Sequence, residues 1–176
     1  MIDALVIVDV QEGMFSVPGV AIYESASVIS NIQLLLERAR SAGTTVIFIQ
    51  HKGGKGHPLE ESLEGFAIHA ALTPRPNESI VVKQHCGSFK NTDLDKQLRN
   101  AGIEKLIICG LQSEYCVDTA VRTASDRGYD VVLVKDAHTT ADRPNLSAKA
   151  IINHHNDILD GAFCSVQNTA GINFGA

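Results

Sequence analysis

Short apolar runs alternate along the chain with segments whose hydrophobic residues recur at the spacing of a helix face. The runs are almost continuous in Val, Ile and Leu, which is typical of parallel strands buried on both faces. They lie at Ala4–Val8, Thr44–Ile49, Ser79–Val82, Lys105–Cys109, Asp130–Val134 and Ala162–Val166. The alternation predicts an α/β fold in which helices cover both faces of a parallel sheet.

The segments between the runs carry helical stripes. Val28, Ile32, Leu35 and Ala39 share one helix face, and Gly43 follows where a helix end is expected. One long stretch, His51–Asn77, shows neither the apolar runs of a strand nor the spacing of a helix face. We expect it to be a functional loop region that covers the site or joins a subunit contact.

Composition narrows the class of protein. The chain has 176 residues, of which 44% are hydrophobic and 20% charged, with a formal net charge of −5. These values predict a single globular domain over residues 1–176 and disfavour nucleic acid as a partner. The sequence shows no signal peptide and no apolar run of the ~20 residues that a membrane span needs, so we expect a cytoplasmic protein without a membrane partner.

Polar residues that follow the predicted strands should gather at one edge of the sheet, because ligands of open parallel sheets bind beyond the carboxyl ends of the strands. Asp9 follows the first strand, His51 the second, Lys83 the third and Asp136 the fifth, while Gln112 to Cys116 follow the fourth. We therefore expect an acid, a base and a thiol to converge there. Asp136 is expected to shape the loop after the fifth strand.

Cys116 has the setting of a reactive cysteine. A buried strand and the Gly110 turn precede it, and a helical stripe follows it, which places the thiol in the first turn of a helix. Unpaired N–H groups and partial positive charge at a helix start favour a thiolate and can hold an oxyanion. Cys109, inside an apolar strand, is expected in the core, while the role of Cys86 stays open.

Seven histidines raise the question of a metal. None of them has a tight ligand spacing such as HExxH, so structural or substrate-contacting roles are favoured. We expect no metal and no cofactor.

Several motifs together carry a resemblance to a known family. Asp9-Val10-Gln11, Lys83, Ser88-Phe89 and the segment from Gly110 to Val117 resemble the isochorismatase-like cysteine hydrolases, in order along essentially the whole chain. The resemblance implies a three-layer α/β/α fold with strand order 3-2-1-4-5-6. It also implies a catalytic triad of Asp9, Lys83 and Cys116, and a cis peptide at Leu111–Gln112.

Departures from the family pattern select among its chemistries. Nicotinamidases carry an Asp-x-His metal motif after the second strand, where this chain reads Gln50-His51-Lys52-Gly53-Gly54. Members that cleave the isochorismate vinyl ether do not need the cysteine, so its presence favours acyl chemistry. The chain looks more similar to small hydrolases of the streptothricin-hydrolase and γ-lactamase type.

The resulting hypothesis is a cysteine hydrolase that cleaves a C–N bond of a small amide or lactam through a thioester. Lys83 would hold Cys116 as a thiolate, and Asp9 would carry the proton. The backbone N–H groups of Gln112 and Cys116 would form the oxyanion hole. Vinyl-ether hydrolysis, a metal-assisted nicotinamidase and a non-catalytic thiol sensor remain alternatives.

Aromatic and imidazole side chains beside the rim are predicted to line the substrate pocket. They are Phe15, His51, Phe89 and Tyr115. They predict a small, partly apolar ligand. A homo-oligomer, either a dimer or a tetramer, is expected because similar proteins commonly associate.

Overall fold

The sheet is parallel throughout and has the strand order that the resemblance implies. In the computed structural model, which describes residues 3–175, the six strands are ordered β3-β2-β1-β4-β5-β6. Their bounds are β1 Asp3–Val8, β2 Thr45–His51, β3 Ser79–Lys83, β4 Lys105–Leu111, β5 Asp130–Thr139 and β6 Ser165–Gln167. The predicted α/β fold and strand order are confirmed.

Helices cover both faces of this sheet. They are α1 Glu12–Phe15, α2 Ser25–Ser41, α3 Leu94–Asn100, α4 Asp118–Asp126 and α5 Ala148–Leu159. Two apolar cores result because successive β1 residues point to opposite faces. Ile7 packs in the core that contains Ile32 of α2, whereas Val8 packs in the core that contains Val121 of α4.

The fifth strand is longer than the sequence predicted. Its pairing with β4 shifts register after Ile108, then resumes with Gly110 opposite His138. The polar pair Lys135-Asp136 ended the apolar pattern, yet Ala137 and the residues that follow it are buried again. Asp136 therefore lies inside β5 and not in a loop after it. Its Oδ1 accepts hydrogen bonds from the backbone and side chain of Thr169, at 2.7 and 2.8 Å.

Gly110 allows β4 to approach β1 closely at the end that leads to the site. Its φ is +122°, and a Cβ placed on it would lie 2.1 Å from the carbonyl oxygen of Val8. Any other residue would clash with the β1 backbone at this point.

The side chain of Gln11 fastens the segment between β2 and β3 to the rim of the sheet. It donates to the carbonyls of His51 and Phe66, at 3.0 and 2.8 Å, and accepts from the His51 N–H at 2.8 Å. Gln11 is fully buried. The segment that was predicted as a loop also contains two short 3-10 helices, Glu64–Phe66 and Ala70–Leu72.

No helix within residues 3–175 has both the length and the apolar content that a bilayer crossing requires.

Candidate active site

Three side chains from distant parts of the sequence meet at the carboxyl rim of the sheet. The Lys83 ammonium lies 2.7 Å from Oδ2 of Asp9 and 3.1 Å from Sγ of Cys116. Asp9 follows β1, Lys83 ends β3, and Cys116 lies in the turn after β4. The sequence expectation that an acid, a base and a thiol converge is met in the geometry of these three residues.

Asp9 is held in a conformation that L-residues seldom adopt. Its φ is +51°, in the left-handed region, while its N–H still donates to the Ile49 carbonyl at 3.0 Å. The backbone thus leaves the strand while it stays bonded to β2, and strain of this kind concentrates at functional sites. Among the described residues nothing hydrogen-bonds Oδ1 of Asp9. Burial raises the pKa of Asp9, and the charge of Lys83 opposes that rise.

Lys83 is buried and still fully hydrogen-bonded. Besides Asp9 and Cys116, its ammonium donates to the carbonyl of His85 at 3.0 Å, so each of its three N–H groups has an acceptor. Burial alone would lower the pKa of Lys83, but the Asp9 carboxylate and the Cys116 sulfur outweigh it and raise that pKa. Lys83 therefore remains an ammonium ion.

The nucleophile candidate lies on a single π-helical turn, Ser113–Val117, that precedes α4. The sequence predicted the first turn of an α-helix instead. Burial raises the pKa of the Cys116 thiol, the Asp9 carboxylate adds to the rise, and Lys83 only partly offsets it. The nearby carboxylate and the loss of water therefore favour the neutral thiol, whereas the Lys83 ammonium favours the thiolate.

The peptide bond between Leu111 and Gln112 is cis, as the resemblance implies. The Gln112 carbonyl accepts from the N–H groups of Tyr115 and Val117, at 3.1 and 3.2 Å. In the part of the chain that the structure describes, no backbone carbonyl accepts from the Gln112 N–H. That donor is therefore free to bind a ligand oxygen.

His51 adds an unused polar atom next to the cluster. It pairs with Lys83 in the β2–β3 register, and its Nδ1 is buried without a hydrogen-bond partner among residues 3–175. Burial lowers the pKa of His51 to about 4, and the charge of Lys83 adds to this effect. The imidazole is therefore neutral at physiological pH and can exchange one hydrogen bond with a ligand.

The three aromatic residues predicted to line the pocket have different settings. Phe15 is half-buried and meets His69 edge to face, with ring centroids 5.0 Å apart. Phe89 is a core residue that stacks on Tyr129, with centroids 6.2 Å apart. Tyr129 precedes β5, at the end of the sheet away from the rim. The Phe89 side chain thus packs in a core cluster that Cys116 also borders, and its contact with substrate stays a prediction.

Tyr115 borders an outer groove. It is 46% exposed, and the Arg143 guanidinium lies 5.1 Å from its ring centroid. The groove, with a volume of about 360 Å³, is also lined by Leu146, Ile151 and His154. Tyr115 thus contributes to the surface next to the turn of Cys116.

The sequence reasoning missed the groups that hold this turn in place. Oε1 of Glu114 accepts from Thr140 at 2.9 Å and from two nitrogens of Arg143 at 2.9 and 2.7 Å. The side chain of Ser113 bonds His138, and both residues are buried. The motif Asp136-Ala137-His138-Thr139-Thr140 was visible in the sequence, but its contacts depend on the extension of β5.

Metal-ligand side chains do not cluster within residues 3–175: no three His, Cys, Asp or Glu are placed to hold an ion. Two of the histidines near the rim already accept backbone N–H groups through Nδ1, His57 from Leu59 and His69 from Ala71.

The parallel sheet with helices on both faces defines a three-layer α/β/α protein, and a buried Asp9-Lys83-Cys116 cluster lies at the carboxyl rim of the sheet. The isochorismatase domain pattern matches residues 3–161, and the chain belongs to the isochorismatase family. Its fold is shared by an isochorismatase structure from Pseudomonas putida KT2440, with a TM-score of 0.91 and 30% identity over 97% of this chain and 89% of that one.

Relatives of this chain include proteins named as hydrolases. A streptothricin hydrolase of Streptomyces noursei is 38% identical over 143 residues, which cover 81% of this chain and 51% of that protein. This chain thus spans about half the length of that relative. The ureidoacrylate amidohydrolase RutB of Azorhizobium caulinodans is 29% identical over 185 residues, covering 85% of this chain and 82% of the relative.

Proposed function

We propose that the protein hydrolyses a C–N bond of a small amide or lactam through a thioester on Cys116. One observation carries the proposal: the Lys83 ammonium bridges Asp9 and Cys116 at 2.7 and 3.1 Å in a buried site. A buried ion pair is stabilised by its own charges and hydrogen bonds, and a neighbouring thiol adds little to that stability. A structural role alone therefore does not explain why Cys116 lies there. The similarity to an amidohydrolase and a streptothricin hydrolase supports the same class of reaction.

In the first half-reaction, the resting ion pair prepares the attack. Sγ of Cys116 forms a bond to the substrate carbonyl carbon while its proton passes to Asp9, whose Oδ1 has no hydrogen-bond partner within residues 3–175. Burial raises the pKa of Asp9 and so makes it a better proton acceptor at neutral pH. Lys83 stays charged and offsets the negative charge that leaves the carboxylate and reaches the sulfur and oxygen.

The carbonyl oxygen becomes an oxyanion in this step. We assign its stabilisation to the backbone N–H groups of Gln112 and Cys116, of which the first has no backbone acceptor in residues 3–175. Loss of one such donor typically costs about 10²–10³ in rate. Collapse of the intermediate then breaks the C–N bond, and Asp9 returns its proton to the leaving nitrogen.

Water completes the reaction. Asp9 takes a proton from a water molecule while the oxygen of that water forms a bond to the thioester carbon. The C–S bond then breaks. The proton returns to sulfur and the acid product leaves. Each proton that Asp9 accepts is returned within the cycle, so no cofactor is needed.

Two side chains are proposed to contact the substrate. The Nδ1 atom of His51 is buried without a hydrogen-bond partner among the described residues. A hydrogen bond from a ligand N–H or O–H would therefore be favourable. Phe15 would provide a partly exposed apolar surface. This combination favours a small ligand with both a polar and an apolar side.

The test is a panel of small primary amides and lactams, incubated with the wild-type protein, with Cys116→Ala and with Cys86→Ser. Cys86 is exposed, so its variant is the matched control. We expect turnover by the wild type and by Cys86→Ser only, with an acyl adduct on Cys116 detectable by mass spectrometry. Unchanged amide hydrolysis by Cys116→Ala would refute the thioester mechanism.

A vinyl-ether substrate and an Asp9→Asn variant, added to this panel, separate the alternatives. Vinyl-ether hydrolysis would survive loss of the thiol. A thiol sensor would keep its oxidant response in Asp9→Asn, since a sensor has no need of a proton carrier, whereas the hydrolase would lose turnover in that variant.

A further inference from the structure

We infer that His138 is a positioning residue, which holds the turn of Cys116 in register through the side chain of Ser113. The inference rests on the proposed function for its catalytic meaning. Its physical content is the placement and reactivity of the Cys116 sulfur, which can be measured without any substrate.

A short chain of hydrogen bonds links α5 to the start of the π-helical turn. Oγ of Ser113 lies 2.7 Å from Nδ1 of His138, and Nε2 of His138 lies 2.9 Å from Oδ1 of Asn156. Ser113 and His138 are each only 1% exposed. Buried polar side chains need hydrogen-bond partners, and at this depth Ser113 and His138 supply each other's partner.

The partners determine the direction of each hydrogen bond. An amide oxygen can only accept, so Nε2 of His138 carries the proton and donates to Asn156. Nδ1 is then the acceptor for the hydroxyl of Ser113. Burial lowers the pKa of His138 to about 4, which keeps the imidazole neutral and preserves this arrangement at physiological pH.

The strand geometry places a second contact beside the first. His138 lies near the end of β5 and Thr140 directly follows that strand, and both side chains contact the π-helical turn. His138 bonds Ser113, and Thr140 donates to the neighbouring Glu114 at 2.9 Å. His138 and Thr140 therefore hold the first two residues of the turn, while Cys116 lies further along the same turn.

These contacts matter for catalysis because the Cys116 sulfur must lie next to both the Lys83 ammonium and the substrate carbonyl. Cys116 lies 3.1 Å from the Lys83 ammonium, and the substrate carbonyl must approach from another side. Misplacement of a reacting group by about 1 Å can cost about 10²-fold in rate. Without the Ser113 hydroxyl, the turn loses one of its anchors to the sheet, and the buried Nδ1 of His138 loses its donor.

The experiment measures alkylation of Cys116 by iodoacetamide over a range of pH, with site-resolved mass spectrometry. The variants are Ser113→Ala, His138→Leu and their combination. We expect each single variant to slow alkylation of Cys116 by about tenfold or more. The double variant should be no slower than the single ones, since both remove the same link.

Two further variants keep the test decisive. His138→Asn retains an acceptor near the position of Nδ1 and should restore a large part of the Cys116 reactivity that His138→Leu loses. Thr169→Val is the matched control, because the Thr169 hydroxyl is also buried and donates to β5, at 2.8 Å to Oδ1 of Asp136, but does not touch the turn. It should leave alkylation of Cys116 unchanged.

The outcomes distinguish this inference from the proposed function. If Ser113→Ala destabilises the protein as Thr169→Val does, yet alkylates Cys116 at the wild-type rate, His138 has no positioning role. If alkylation responds as expected but no amide or lactam is hydrolysed by the wild type, the positioning role stands and the proposed reaction is wrong. Should His138→Leu fail to fold, Ser113→Ala alone still decides the question.

Discussion

The Lys83 ammonium lies 2.7 Å from Oδ2 of Asp9, and both side chains are almost fully buried. Removal of one partner of such a pair leaves the other as an uncompensated buried charge. We expect Lys83→Met to reduce the free energy of unfolding by about 3–5 kcal/mol. The variant should also raise the pKa of the Cys116 thiol further, which slower iodoacetamide labelling at neutral pH would reveal.

The ion pair of Lys52 with Glu61 supplies the control for that measurement. Its side chains are 35% and 58% exposed, and exposed pairs contribute about 0–1 kcal/mol. Chemical denaturation of Lys52→Met should therefore give a nearly unchanged midpoint. Equal losses in the two lysine variants would contradict the special status of the buried pair.

Cys109 and Cys116 should respond to the same substitution in opposite ways. Cys109 is fully buried between sheet and helix, so Cys109→Ala is expected to lower the free energy of unfolding by about 1–2 kcal/mol and to retain turnover. Cys116→Ala should retain stability and reduce turnover by at least about 10³-fold. Parallel melting curves and rate assays on the two variants check this contrast.

Gly110→Ala should damage both the fold and the site. The added methyl would lie 2.1 Å from the Val8 carbonyl oxygen at a φ of +122°, so we expect a loss of more than about 3 kcal/mol or failure to fold. Gly54→Ala is the matched control, since no heavy atom lies within 4 Å of its Cβ position. Its melting temperature should change little.

Acid should destabilise the protein in a defined window. Burial lowers the pKa of His51 and that of His138 to about 4 from an ordinary value of 6.5. Between these values the two histidines bind more protons in the unfolded chain than in the folded one, so their contribution to the free energy of unfolding falls as the pH decreases from about 6.5 to about 4. That contribution is fully present above this window.

His51→Asn tests the origin of this slope. The variant should show a shallower decline, by less than the about 1.4 kcal/mol per pH unit that one full proton would give. His154→Asn changes an exposed position on α5 and provides the comparison. Identical pH profiles for wild type and His51→Asn would show that His51 does not contribute.

The predicted strands agree with the structure where the apolar pattern is continuous, as in β1 and β4. The prediction ended β5 at Val134 because Lys135 and Asp136 interrupt that pattern. A register shift accommodates the interruption, and no local pattern records it. The short β6, Ser165–Gln167, was likewise offset from the predicted Ala162–Val166, since element boundaries depend on which neighbour accepts the hydrogen bonds.

Some residues of the candidate site were predictable from the sequence and others were not. Asp9, Lys83 and the segment of Cys116 were predicted because parallel strands bring their carboxyl ends to one rim, wherever those ends lie in the sequence. The burial of Phe89 was not predicted, because whether an aromatic side chain packs into the core depends on which elements cover it. The contact between Ser113 and His138 was not predicted, since it requires the extension of β5.

The amino-acid sequence by itself determined the alternation of strands and helices, the glycine that admits close approach of β4 to β1, and the three candidate catalytic residues that follow or end strands. These features follow from periodicity and steric limits that act over a few residues. Only the tertiary structure decided the buried environment of the Cys116 sulfur and the contact between Ser113 and His138. Both depend on desolvation and on contacts between segments far apart in the chain, and neither effect exists until the sheet has assembled.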